Sequence, residues 1–180
     1  MKVKIKKLVE NAKVPTQAHQ KDFCYDVYAT SCKRIGYKTY EYGVGLAYEI
    51  VRDDEHLGDD FMYKFDKTCQ ELYPISCRSY ILYKSMYDNV KLSIDFRPRS
   101  SIFKTGMILS NCEGTLDELY RGEIKAIFYH INPFKKRYKV GDRIGQVKLG
   151  FTLPIEWEVV DDLDENTERG TGGLGSTGVN

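Results

Sequence analysis

The sequence predicts an all-β domain, a barrel or a sandwich of short strands. Three observations carry that prediction. Apolar and polar residues alternate over short stretches, the period of a half-buried strand. Glycine, proline, aspartate and asparagine separate those stretches at turn-like spacing. Aromatic residues are abundant, 14 Tyr and 8 Phe in 180 residues, and such side chains favour pleated surfaces.

Taken in order, "KVKIKKLV" alternates from Lys2 onward and reads as the first strand. "YGVGLAYEIV" is a glycine-punctuated signal for two successive strands. "VKLSIDF" puts Leu92, Ile94 and Phe96 on one face. "TGMILS" and "EIKAIFYHI" are apolar enough for central strands, and "NCEGTLDELYRG" between them reads as a hairpin connection. In "RIGQVKLG", alternation puts Ile144, Gln146 and Lys148 on a common face. Pro133 and Pro154 fall at strand edges or in loops. One segment, about 52–89, departs from the strand period. There Phe61, Phe65, Cys69 and Leu72 recur at helical spacing after two N-cap candidates, Asp59 and Asp60, which predicts a helical insertion between two strands. Asp161 to Glu168 form an acidic linker, so the expected organisation is one domain over 1–168 followed by a mobile arm over 169–180.

The totals narrow the function classes. Twenty-seven basic and 26 acidic residues leave a net charge of +1, which gives no footprint for nucleic acid or a membrane surface. The five cysteines (Cys24, Cys32, Cys69, Cys77, Cys112) contain no C-x-x-C pair, so thiols in a reducing cytoplasm are expected rather than a zinc site. "MKVKIKKLVENAKVP" lacks an apolar signal core, and no run reaches membrane-spanning length. A soluble cytoplasmic protein is the expectation.

Five polar stretches can carry chemistry. "ERGTGGLGSTGVN" satisfies G-x-G-x-x-G at Gly170, Gly172 and Gly175, but only five residues follow, too few for the helix which that fingerprint requires. It also lacks the P-loop lysine, because Ser176 stands in that place. Arg169, the glycines and the Ser176–Thr177 pair nevertheless offer a guanidinium, backbone N–H groups and two hydroxyls, which suits closure over a triphosphate. The plain alternative is a disordered glycine-rich tail. "RPRSS", residues 97–101, can clamp a phosphate through its arginines and serines, or be an ordinary basic loop. "GTLDELYRGE" sets Asp117 three residues before Tyr120; the acid can orient water and the ring can cover a sugar, against the alternative of a solvated turn acid and a core tyrosine. Gln146 in "GDRIGQV" can donate to phosphate or face solvent.

In this order, "DFCYDVYAT", "RPRSS", "NCEGTLDELYRGE", "GDRIGQV" and "RGTGGLGSTG" resemble the five motifs of the trimeric all-β dUTPases, from about Val3 to the end but excluding the insertion. The third and fifth stretches are long and specific. The resemblance implies a jelly-roll-like β barrel, a homotrimer whose sites pool loops from three chains, and conversion of dUTP and water to dUMP and pyrophosphate. It further implies that Asp117 orients and deprotonates the attacking water, and that Tyr120 packs on deoxyribose. Asn111, with main-chain groups around Thr115, Leu116 and Lys125, falls where the family reads uracil. Arg99, Ser100 and Ser101 match the phosphate clamp, and Gln146 the α-phosphate contact. Arg169, Gly173, Leu174, Gly175, Ser176 and Thr177 match the closing arm, with Leu174 where a phenylalanine is usual. Asp26 matches a carboxylate that holds Mg²⁺ through water, although Phe23 and Cys24 replace the usual Ala-Gly lead.

Two rivals remain. A dCTP deaminase of the same fold needs a glutamate on the strand after the hairpin, where this chain has Ile127. A binding or regulatory role would use Tyr63, Tyr73, Tyr80, Tyr83 and Tyr87 of the insertion as a protein-partner surface, against the plainer reading that they pack on their own barrel.

Overall fold

The computed structural model describes residues 2–52, 89–163 and 167, and ten strands build the fold among those described residues. They are β1 (Lys2–Lys7), β2 (Tyr25–Tyr28), β3 (Ser31–Gly36), β4 (Thr39–Gly43), β5 (Leu46–Val51), β6 (Lys91–Arg97), β7 (Met107–Leu109), β8 (Gly114–Asp117), β9 (Lys125–His130) and β10 (Arg143–Thr152). A short 3-10 turn, Ser100–Lys104, is the longest helical piece among the described residues. The all-β class agrees with the sequence. The expected helix through Phe61 and Leu72 and the arm over 169–180 lie outside the described residues.

All pairings between these strands are antiparallel. β1 pairs with β5, while the two larger sheets run β2-β10-β6-β8 and β3-β4-β9-β7. Their inner faces meet in one apolar core, where Phe96 of β6, Tyr42 of β4, Phe128 of β9 and Tyr138 contact edge to face. Such contacts add to the burial gain of each ring. The Tyr42 hydroxyl donates to the Tyr138 carbonyl at 2.9 Å, so the deepest ring keeps its polar end satisfied. β3 is exposed along its length and carries Lys33 and Arg34, charges that blunt an open sheet edge.

Three strand readings need correction. β9 is interior, as expected, but β7 ends its sheet and is an edge strand among the described residues. The connection between them is not a hairpin loop. It contains β8, which crosses to the other sheet and pairs with β6. Ile144 does not share a face with Gln146 and Lys148. A bulge between Arg143 and Gly145 shifts the register, which sends Ile144 into the core with Val147 and turns Gln146 and Lys148 outward. Gly145 permits the bulge, because an added Cβ there would run into the Phe96 ring.

Candidate functional site

The outward face of the β2-β10-β6-β8 sheet carries the polar residues that the motifs single out. Asp26 on β2 lies opposite Gln146 on β10, and Gln146 lies opposite Arg97 on β6. Directly opposed residues share a face, so the three form one row across the sheet. Asp26 is only 9% exposed. One carboxylate oxygen holds Arg99 Nε at 2.9 Å and the other holds an Arg143 terminal nitrogen at 3.0 Å. A carboxylate at that depth needs such partners. Arg99, Asp26 and Gln146, with Asp22, Phe23 and Cys24, line a cavity of about 300 Å³. Arg99 has extended backbone (φ −76°, ψ 154°) just before the 3-10 turn, which carries Ser100 exposed and Ser101 half-buried at the same strand end. Arg143 was not singled out by the sequence reading. Its position inside "GDRIGQV", three residues before Gln146, was the available signal.

The second group gathers around β8. Thr115 and Asp117 point outward with Asp95 and Ser93, their partners on β6, and Leu116 turns toward the core opposite Ile94. Asp117 is exposed, while its main-chain carbonyl is fixed by the buried Tyr48 hydroxyl at 2.6 Å. The same hydroxyl reaches the Leu116 carbonyl at 2.9 Å. Burial, then the charge of Asp117, pushes the Tyr48 hydroxyl up to about 12, so it remains a donor. Tyr120 is 39% exposed, and its hydroxyl donates to the Glu123 carbonyl at 3.0 Å. Gly122 lies under that ring, where any Cβ would collide with it. Asn111 is exposed in the turn before β8, and Lys125, at the start of β9, pairs with Glu41 at 3.1 Å.

These two groups do not meet within one chain. Asp117 stands opposite Ser93 at one end of β6, whereas Gln146 stands opposite Arg97 at the other end, with Arg99 beyond it. Four residues of strand separate those levels by about 13 Å. Between them Lys148 and Asp95 form a close ion pair. That pair holds the Asp95 carboxyl low against the opposing effect of its burial, with a further hydrogen bond from Ser93.

The sequence reading also missed the closure at the root of the insertion. Arg52, the last described residue before it, grips Glu118 with Nε at 2.8 Å and a terminal nitrogen at 2.7 Å. The same guanidinium donates to the Val90 carbonyl at 2.6 Å. Both ends of the insertion are therefore tied to the residue beside Asp117.

A family model described as dUTPase matches residues 78–178, more than half of the chain. The chain belongs to the dUTPase family. A protein named deoxyuridine 5'-triphosphate nucleotidohydrolase from Zymomonas mobilis is 30% identical over 149 residues, covering 81% of this chain and 98% of that protein. One of the same name from Ehrlichia canis is 42% identical over 85 residues. That match covers 46% of this chain, and the chain spans only 56% of the length of the Ehrlichia protein. The dUTPase of Staphylococcus bacteriophage 80alpha, solved with dUPNHPP, superimposes with a TM-score of 0.65 at 17% identity, covering 99% of both chains. At that identity the likeness concerns the dUTPase fold alone.

Proposed function

We propose that this dUTPase-family chain hydrolyses dUTP to dUMP and pyrophosphate as a homotrimer. The observation that carries the reading is the Asp26–Arg99–Arg143 cluster beside Gln146 at one end of β6, with Asp117 at the other end of the same strand. A reaction needing both groups requires a second copy, whose β8 comes to the Arg99 end. In that arrangement Arg99 and Gln146 hold the α-phosphate region and Ser100 and Ser101 add hydroxyl donors. Asp117 of the neighbouring copy orients water for attack on the α-phosphorus and takes its proton. The bond from that phosphorus to the bridging oxygen breaks, and pyrophosphate leaves. Positioning and charge neutralisation supply the acceleration, because phosphoryl transfer leaves the protein little covalent work.

Tyr120 covers the deoxyribose, and the turn from Asn111 through Leu116 to Lys125 reads the base. Arg169, Gly173, Leu174, Gly175, Ser176 and Thr177 close the site. The described residues contain no cluster of three or more metal-ligating side chains. Asp26 already serves two guanidinium groups, so it fits contact with Mg²⁺ only through water. Bound Mg²⁺ would neutralise phosphate charge, consistent with its retention of water ligands. Free thiols at Cys24, Cys32 and Cys112 accord with a reducing cytoplasm as the compartment.

The test is to incubate the pure protein and Mg²⁺ separately with dUTP, dCTP, dTTP and UTP and to separate the products. The expected result is dUMP from dUTP alone. A deoxyuridine nucleotide from dCTP, or no product at all, overturns the reading.

A further inference from the structure

A second cavity lies against Arg99, apart from the one that contains Gln146. It is a solvent-open depression of about 430 Å³, and six cationic side chains line it: Arg99, Lys104, Lys136, Arg137, Lys139 and Arg143. A single carboxylate, Asp142, shares the wall and accepts the Lys139 backbone N–H at 2.7 Å. Asp26 pairs with both Arg99 and Arg143, one negative charge against two positive ones. Lys104, Lys136, Arg137 and Lys139 have no ion-pair partner among the described residues. Cations gathered without counter-charges repel one another, and an anion placed among them relieves that repulsion.

A separate observation also points to a ligand. The wall includes Tyr138, only 6% exposed, whose hydroxyl is the one buried side-chain polar atom without a hydrogen-bond partner among the described residues. Burial raises that hydroxyl above the usual tyrosine range against the opposing effects of the Arg99 charge and the nearby Thr105 hydroxyl, so it stays protonated and able to donate. A buried donor left unpaired calls for an explanation, and an anion in the adjoining cavity is one. Arg137 is meanwhile held 4.5 Å from the Tyr40 ring centroid, which limits its freedom before any ligand arrives.

We propose that this cavity binds a compact multivalent phosphate, held by Lys104, Lys136, Arg137 and Lys139 with the Tyr138 hydroxyl as a further donor. Point-charge lysines, a forked guanidinium and a hydroxyl suit an oxyanion with several acceptors on each phosphorus. The choice of pyrophosphate as occupant rests on the dUTP reading, in which it leaves the neighbouring cavity; the phosphate chemistry stands without that reading.

The full chain is titrated calorimetrically with inorganic pyrophosphate, inorganic phosphate, dUMP and a single-stranded DNA oligonucleotide. Pyrophosphate is expected to bind more tightly than phosphate. Lys136→Ala/Arg137→Ala and, separately, Tyr138→Phe are each expected to weaken pyrophosphate binding tenfold or more, with far-UV circular dichroism unchanged. Absence of pyrophosphate binding overturns the site. So does binding that Arg99→Ala abolishes while Lys136→Ala/Arg137→Ala leaves it intact, because the anion then occupies the clamp. Stronger binding of dUMP or the oligonucleotide through Lys136 and Arg137 overturns the compact-phosphate assignment. A chain that binds pyrophosphate here but releases no dUMP from dUTP supports the site and refutes the nucleotide reading.

Discussion

Asp26 holds two arginines at once, which makes it a positioning residue for the proposed phosphate clamp as much as a carboxylate in its own right. Asp26→Asn removes the charge and frees both guanidinium groups. The arginines are partly exposed, so the expected loss of stability is about 2 kcal/mol rather than the full cost of a broken buried pair. Urea unfolding measures it, and the KM for dUTP is expected to rise about tenfold through lost preorganisation of Arg99. Asp117→Asn is expected to keep nucleotide affinity and lose most of kcat; comparable turnover in the variant would remove Asp117 from its role. Tyr48 acts on Asp117 through the backbone. Tyr48→Phe is expected to lower kcat about tenfold with KM nearly unchanged, because β8 loses the donor that fixes both carbonyls. The same hydroxyl gives a pH signature. Its folded pKa of about 12 lies above the ordinary 10.0, so its contribution is complete below pH 10 and is lost as pH rises through about 12. Alkaline unfolding of wild type against Tyr48→Phe isolates that contribution.

Among the elements, β8 and the root of the insertion form one mechanical unit. Glu118 follows the last residue of β8 and is gripped by Arg52, which also spans to Val90. The Arg52 hydrogen bonds hold the Glu118 carboxyl below its ordinary 4.5. Its stabilising share is therefore full above pH 4.5 and lost as pH falls through the lower folded value. Both side chains keep about a quarter of their surface exposed, so a double-mutant cycle of Arg52→Ala and Glu118→Ala is expected to give a coupling of about 1 kcal/mol. At the other end of the sheet the β10 bulge sets which residues face the cavity. Gly145→Ala drives a methyl group into Phe96 and is expected to cost about 1–3 kcal/mol, read as a lower melting temperature.

At the scale of the whole molecule, the separation along β6 makes a prediction about assembly. If Arg99 and Asp117 act from different copies, mixing inactive Arg99→Ala with inactive Asp117→Asn chains restores activity. Random mixing in equal amounts pairs an intact Arg99 with an intact Asp117 at about a quarter of the sites, so about that share of wild-type turnover is expected. Recovery requires exchange of subunits, confirmed by mixed species in native mass spectrometry. No recovery in such mixed assemblies refutes the shared site. The stretch from Phe151 to Leu163 points the same way, since Phe151, Trp157 and Val159 are largely exposed, as expected for a segment that another copy covers.

Alternation and turn residues determined the all-β class and the cores of β1, β5, β6, β9 and β10, because those signals are local and of period two. The order and type of the motif residues likewise singled out Asp26, Arg99, Asp117 and Gln146 as candidates, through the family resemblance they carry. Only the tertiary structure decided that β8 joins β6 rather than closing a hairpin, that a bulge divides Ile144 from Gln146, and that Asp26 is shared by Arg99 and Arg143. Each depends on strands far apart in the chain meeting in one register. Contacts of that kind leave no period in a single sequence, and packing selects among them only when both sheets close over the same core.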